Sequence, residues 1–170
     1  MKSKVFTRRQ FLKLTMGAGA ALGLSQMPLA GSLLSETTDS PKPAVVWLEA
    51  QDCTGCTESV LSSVSPDLRD VILDVIAIRY HETIMAGTGH VAEDALDAAI
   101  NDGGYVLVVE GSIPAADSRY LEVAGIPVET RFVQAANSAA VILAVGACAA
   151  YGGIPRAGVP DGQGVQYFLD

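Results

Sequence analysis

"AVVWLEAQDCTGCTES", residues 44–59, decides how the rest of the chain is read. Its first five residues, Ala44–Leu48, form an apolar, β-branched run of the kind that fills a buried strand. Cys53 and Cys56 follow as a Cys-x-x-Cys pair. Beyond them "TESVLSSV", residues 57–64, puts Val60, Leu61 and Val64 on one helical face, with Pro66 just past the end. A strand that hands a cysteine pair to the start of a helix suits a redox pair, half of a zinc site or part of an iron-sulfur site.

The pattern repeats outward. "VILDVIAIRY", residues 71–80, reads as a second strand. "HVAEDALDAAI", residues 90–100, sets Val91, Ala92, Ala95, Leu96, Ala99 and Ile100 opposite Glu93, Asp94 and Asp97, an amphipathic helix that Gly103 and Gly104 stop. "YVLVVEG", residues 105–111, is nearly continuous in hydrophobicity, as a strand covered on both faces must be. A third helix is expected over 128–139, and "AAVILAVGACAA", residues 139–150, supplies a fourth strand running into a Gly-rich turn. Alternating strands and helices predict an α/β fold, an open, mostly parallel sheet with helices on both faces. Ligands of such sheets sit outside the carboxyl ends of the strands. Cys53 and Cys56 follow the first strand and Cys148 ends the fourth, so all three are expected on one edge.

With 170 residues and 49% hydrophobic content the chain suffices for one substantial core. Lys2, Lys4, Arg8, Arg9 and Lys13 crowd a start that lacks acidic residues. "TRRQFLK", residues 7–13, resembles the twin-arginine export signal at each fixed position, and an uncharged run ending in small residues follows. Residues 1–30 are therefore read as a signal peptide cleaved near Ala30, 31–43 as a Ser/Thr/Pro-rich linker and 44–170 as the domain. Cleavage removes five of the 11 basic residues and none of the 19 acidic ones, leaving a net charge of −13. Such a surface repels phosphate backbones and speaks against nucleic acid as a partner.

Three cysteines leave one unpaired if used as disulfides, and a signal that exports folded proteins implies folding where thiols stay reduced. A thioredoxin-like pair would use Cys53 and Cys56 but give Cys148 no role. Thr57 stands where haem attachment needs histidine, and structural zinc needs four ligands. An iron-sulfur cubane tolerates scattered spacing, and Gly55 and a helix start near Thr57 would bring backbone donors toward the sulfurs. It usually takes four thiolates, however, and the chain has three.

"WLEAQDCTGCTES" (47–59), "YHETIMAGTG" (80–89), "VVEGSIP" (108–114) and "AVGACAAYGGIPRA" (144–157) resemble, in order and spacing, four blocks of the small subunit of nickel-iron hydrogenases. The resemblance implies a flavodoxin-like domain whose Cys53, Cys56 and Cys148 hold a proximal four-iron four-sulfur cluster, with the fourth ligand outside this chain. It also implies further iron-sulfur clusters in a C-terminal domain absent here. The implied protein is an electron-transfer subunit in the periplasm. It would pair with a large subunit that carries the nickel-iron centre and splits or forms hydrogen, and pass electrons to a cytochrome or membrane acceptor. Membrane attachment would come through a partner or a tail beyond Asp170. Ala50 and Asp52 stand where the family more usually has Gly and Glu. Gly55 and Gly153 occupy positions where oxygen-tolerant relatives carry extra cysteines, which implies an ordinary cubane.

His81 and Glu82 suit a proton-relay pair or a structural hydrogen-bonding pair. Glu49, Glu58 and Glu110 read as groups near the cluster or at an interface. His90 is expected to be a solvated residue at a helix start, and Tyr151 and Pro155 to shape the turn. Two other functions stay open: an exported thiol-disulfide oxidoreductase using Cys53 and Cys56, and a related quinone- or coenzyme-reductase subunit, which would face the cytoplasm rather than carry an export signal.

Overall fold

A computed structural model describes residues 42–158 and 161–169; the expected signal peptide and nearly all of the expected linker lie outside the described residues. Four strands, β1 (Ala44–Glu49), β2 (Ala77–His81), β3 (Val106–Glu110) and β7 (Val141–Val145), form a parallel sheet in the order β2-β1-β3-β7. Counting these four alone, the order is 2-1-3-4, that of a flavodoxin-like doubly wound sheet, and it reverses direction between β1 and β3. Short ribbons pair β4 (Ile113–Pro114) with β8 (Gly162–Gln163) and β5 (Glu122–Val123) with β6 (Ile126–Pro127), both antiparallel.

The period-2 alternation of the strands sorts the two faces. Val46 and Leu48 of β1 and Leu107 and Val109 of β3 turn to one side and are fully buried. They meet Leu96 and Ala99 of α3 (His90–Asp102) and Phe132 and Ala135 of α4 (Val128–Ser138) in the main core. Burying these apolar side chains contributes roughly 1.5–3 kcal/mol for each large one and is the principal hold on the sheet. Tyr105 is buried with them, and its hydroxyl donates to the Ala135 carbonyl at 2.6 Å. Arg131 ties α4 to α3, donating to Glu93 at 2.5 Å and to Asp97 at 2.6 Å. The opposite face is covered in part by α1 (Gly55–Leu61). Trp47, Ile78 and His81 share an apolar cavity of about 50 Å³ with Thr57, Val60 and Leu61. On β7 that face is open, with Val141 and Leu143 about half exposed.

Three expectations are corrected. The first helix ends at Leu61, and Val64 is 90% exposed rather than part of a buried stripe. The Ser63 hydroxyl, donating to the Pro66 carbonyl at 2.7 Å, offers the chain an alternative to another helical turn. The stretch expected as a strand from Val71 begins as helix: Asp67 caps α2 (Leu68–Asp70) by accepting from the Arg69 amide at 2.8 Å, and a π-helical turn continues over Val71–Val75. Only Ala77–His81 is strand, so capping overrode the β-branched composition. Cys148 does not end β7 but lies in α5 (Gly146–Tyr151), the short helix that follows it. α6 (Gly153–Gly158) comes next. The second and third expected helix-strand units, α3 to β3 and α4 to β7, are present with Gly103 capping α3.

Candidate functional site

Parallel register lines up the strand ends that build the site: Glu49 of β1 stands beside Glu110 of β3, and Glu110 beside Val145 of β7. Adjacent strands lie about 4.8 Å apart, so whatever leaves β1 and β7 at this edge is within roughly 10 Å. Past β1 the backbone stays pinned to the end of β3. Ala50 N–H donates to the Glu110 carbonyl at 2.7 Å, and Gln51 and Ser112 exchange two backbone hydrogen bonds at 2.9 and 3.0 Å. The turn is then made by Asp52, whose carboxylate accepts from the Thr54 amide at 3.0 Å, with Thr54 in the left-handed region at φ 60°. Cys53 is exposed on this turn and Cys56 half-buried in the first turn of α1.

Cys148 arrives from the other side. Val145 ends β7, and its carbonyl lies 3.8 Å from Cys56 Sγ. Glycine makes room for each sulfur. A Cβ at Gly146, where φ is +79°, would fall 2.5 Å from Cys56 Sγ, and one at Gly153, where φ is +51°, 2.7 Å from Cys148 Sγ. At Gly55 it would stand 3.0 Å from Cys53 Sγ. All three thiols are free. Burial, and then the charges of Glu110, Cys148 and Cys53, push the Cys56 thiol up. The Cys56 sulfur is thus within the field of the other two. An attacking thiolate needs the opposite shift, which weighs against thiol-disulfide chemistry at Cys56.

The donor set fits a cluster better than a lone ion. Among the described residues no three His, Cys, Asp or Glu side chains close around one metal ion. Each thiolate of a cubane binds a different iron, and soft sulfur donors suit iron-sulfur chemistry. The glycine-lined spaces beside the Cys56 and Cys148 sulfurs leave room there that any larger residue would fill.

A polar layer lies directly beneath the cysteines. The Glu110 carboxylate, 1% exposed, accepts from the Cys56 amide at 2.9 Å, the Thr57 amide at 3.1 Å, the Thr57 hydroxyl at 2.6 Å and Trp47 Nε1 at 3.2 Å. These amides were expected to point at the sulfurs; the buried carboxylate takes them instead. Glu49 accepts from the Thr83 hydroxyl on both oxygens, at 2.6 and 2.7 Å, and from the Thr57 hydroxyl at 3.3 Å. His81 stacks on Trp47 with ring centroids 4.9 Å apart, and its Nδ1 lies 3.4 Å from Glu49. Burial lowers its pKa, opposed by Glu49 and Glu110.

His81 is therefore not paired with Glu82. Glu82 is tied to Tyr80, and burial, reinforced by Glu49, raises its carboxyl to about 7. Asp52 is raised to about 6, again chiefly by burial, and its Oδ2 is buried without a hydrogen-bond partner among the described residues. His90 is exposed at the start of α3 as expected. Sequence reasoning missed Thr57, Thr83 and Gly146. Of these only Gly146 carried a signal, a glycine between a β-branched strand and a cysteine two positions on.

Residues 53–167 match the family model described as NADH ubiquinone oxidoreductase, 20 kDa subunit. Over 155 residues, 89% of this chain and 41% of the relative, the sequence is 42% identical to the hydrogenase-2 small chain of Escherichia coli K12. It is 40% identical to the periplasmic [NiFe] hydrogenase small subunit of Solidesulfovibrio fructosivorans, over 89% of this chain and 48% of that one. A solved [NiFeSe]-hydrogenase chain of Dm. baculatum superposes with a TM-score of 0.71 at 34% identity, covering 76% of this chain and 52% of its own. The chain spans about half the length of these relatives.

Proposed function

The chain belongs to the family of the NADH ubiquinone oxidoreductase 20 kDa subunit, and from that premise we propose that it is the proximal-cluster domain of the small, electron-conducting subunit of a periplasmic nickel-iron hydrogenase. Its expected partner is a large subunit in which hydrogen is split or formed, and its expected acceptor a cytochrome or membrane component. The twin-arginine pattern at residues 7–13 and relatives named as periplasmic support the location. Among the described residues no helix is long and apolar enough to cross a membrane.

In this reading Cys53, Cys56 and Cys148 hold one four-iron four-sulfur cluster, and a ligand outside Met1–Asp170 completes it. Further clusters belong to residues outside this chain. When bound, such a cluster takes up and passes on single electrons. The protein's part is to present the three sulfurs from segments that follow two strand ends, β1 and β7, and to set their surroundings with the Glu110 and Glu49 layer. Glycine at 55 and 153 agrees with an ordinary cubane, because both positions press directly on ligand sulfurs. What most supports the reading is that Gly146, two residues before Cys148, clears the Cys56 sulfur and Gly153 clears that of Cys148, on segments that leave β1 and β7 at one edge of the sheet.

Iron and acid-labile sulfide measured on the complete protein in its native complex test it. The expected outcome is about four irons assignable to this domain, lost in Cys148→Ser. A metal-free protein with a reversible Cys53–Cys56 disulfide would establish the thiol-disulfide function in its place.

A further inference from the structure

Glu110 is buried at the point where the strand order reverses, and all four of its hydrogen bonds run to groups that hold the cysteine loop. One oxygen takes the amide of Cys56 itself. The other takes the amide and hydroxyl of Thr57 and the indole N–H of Trp47. No cationic side chain is among these partners. The carboxylate therefore stands beside the sulfur site as a charge held by neutral dipoles alone.

Resting on the reading above, we propose that Glu110 is a positioning residue that fixes Cys56 through its backbone amide and holds down the reduction potential of the cluster at Cys53, Cys56 and Cys148. Two effects act in the same direction. The Cys56 and Thr57 amides are engaged by the carboxylate, so they cannot donate to sulfur, and hydrogen bonds to sulfur are what raise such potentials. The carboxylate also adds negative charge close to a centre that becomes more negative on reduction, in a buried setting where charges are poorly screened. The Thr57 hydroxyl, at 2.6 Å the shortest of the four contacts, offsets part of that charge.

The two sides of the contact predict opposite shifts. Glu110→Gln removes the charge at nearly constant shape, so the midpoint potential of this cluster rises. Thr57→Val removes the hydroxyl and leaves the carboxylate less neutralised, so the potential falls. Glu58→Gln, an exposed carboxylate one residue further along α1, provides the control for a general charge effect and shifts the potential less than Glu110→Gln.

The measurement is a redox titration of the complete complex followed by the cluster's electron paramagnetic resonance signal, after iron and sulfide analysis of the unaltered protein. Opposite shifts for the first two variants bear the proposal out. Unmoved potentials, shifts of the same sign, or a Glu58→Gln effect as large as that of Glu110→Gln would overturn it. If Glu110→Gln yields no folded complex, Thr57→Val decides alone: a fall supports the assignment and no change or a rise defeats it. An unaltered protein lacking iron and sulfide defeats the cluster reading itself, whereas a normal cluster with unmoved potentials defeats only the role of Glu110.

Discussion

Gly146→Ala is the smallest change that should empty the proposed cluster site. At φ +79° an L-residue incurs about 1–2 kcal/mol in the left-handed region. The added methyl would also lie 2.5 Å from Cys56 Sγ, well inside contact distance, so the sulfur or the Val145–Gly146 backbone must move by about an ångström. Overpacking of this kind costs about 1–3 kcal/mol. Together these predict a loss of roughly 2–5 kcal/mol. At roughly 2–4 °C per kcal/mol for a chain of this size, that is a melting temperature lower by on the order of 10 °C. More diagnostic is iron content, because in the proposed reading a displaced Cys56 sulfur no longer reaches the cluster. Gly158→Ala is the matched control, with no atom within 4 Å of the new methyl, and it should alter neither quantity beyond a few tenths of a kcal/mol. Thermal unfolding and iron analysis of both variants decide the matter. Full iron content in Gly146→Ala would refute the argument that this glycine exists to admit a sulfur.

Two further outcomes are expected. Glu82, raised by burial from 4.5 to about 7, binds a proton more readily folded than unfolded, so stability falls as pH climbs from about 4.5 through 7. Glu82→Gln should remove that slope, worth on the order of 3 kcal/mol at most, in thermal melts between pH 5 and 8. His81 would then leave a slope of opposite sign, stability dropping as acid charges a ring that the fold keeps neutral. Arg131→Met should cost about 3–5 kcal/mol, since it strands the mostly buried Glu93 carboxylate, and adding Glu93→Gln should recover part of it in chemical denaturation. Simple additivity in that double variant would show that the two side chains do not depend on each other.

Where hydrophobic period spoke for itself, the sequence was readable. The runs at 44–48, 105–111 and 139–150 locate β1, β3 and β7, and the 3.6-residue spacing of Ala92, Leu96 and Ala99 locates α3. That the sheet is parallel followed from the alternation of strands and helices, whereas its strand order did not. The stretch 71–76 was misread because a single capping hydrogen bond at Asp67 outweighs a β-branched composition, and such a cap is one side chain among many aspartates. The three cysteines were legible as residues that follow strands ending on one edge of the sheet. The layer beneath them was not. Glu110 and Thr57 are 53 positions apart, and nothing in either neighbourhood announces that a strand-end carboxylate will capture the amides of a helix start. His81 was paired with its chain neighbour Glu82, although strand alternation sends adjacent side chains to opposite faces and delivers His81 to Trp47 and Glu49 instead.

Val145 has a consequence for timing. Its carbonyl lies 3.8 Å from the Cys56 sulfur, and three residues later the same backbone presents Cys148, so Cys56 meets the segment that carries Cys148 only after the last strand of the parallel sheet has docked on β3. A nascent chain that has made β1 and α1 owns a cysteine pair but not the Val145–Gly146 backbone that lies against the Cys56 sulfur. Assembly of the proposed cluster would thereby wait for the most distant segment of the sheet, and a loaded site would certify that the segment has arrived.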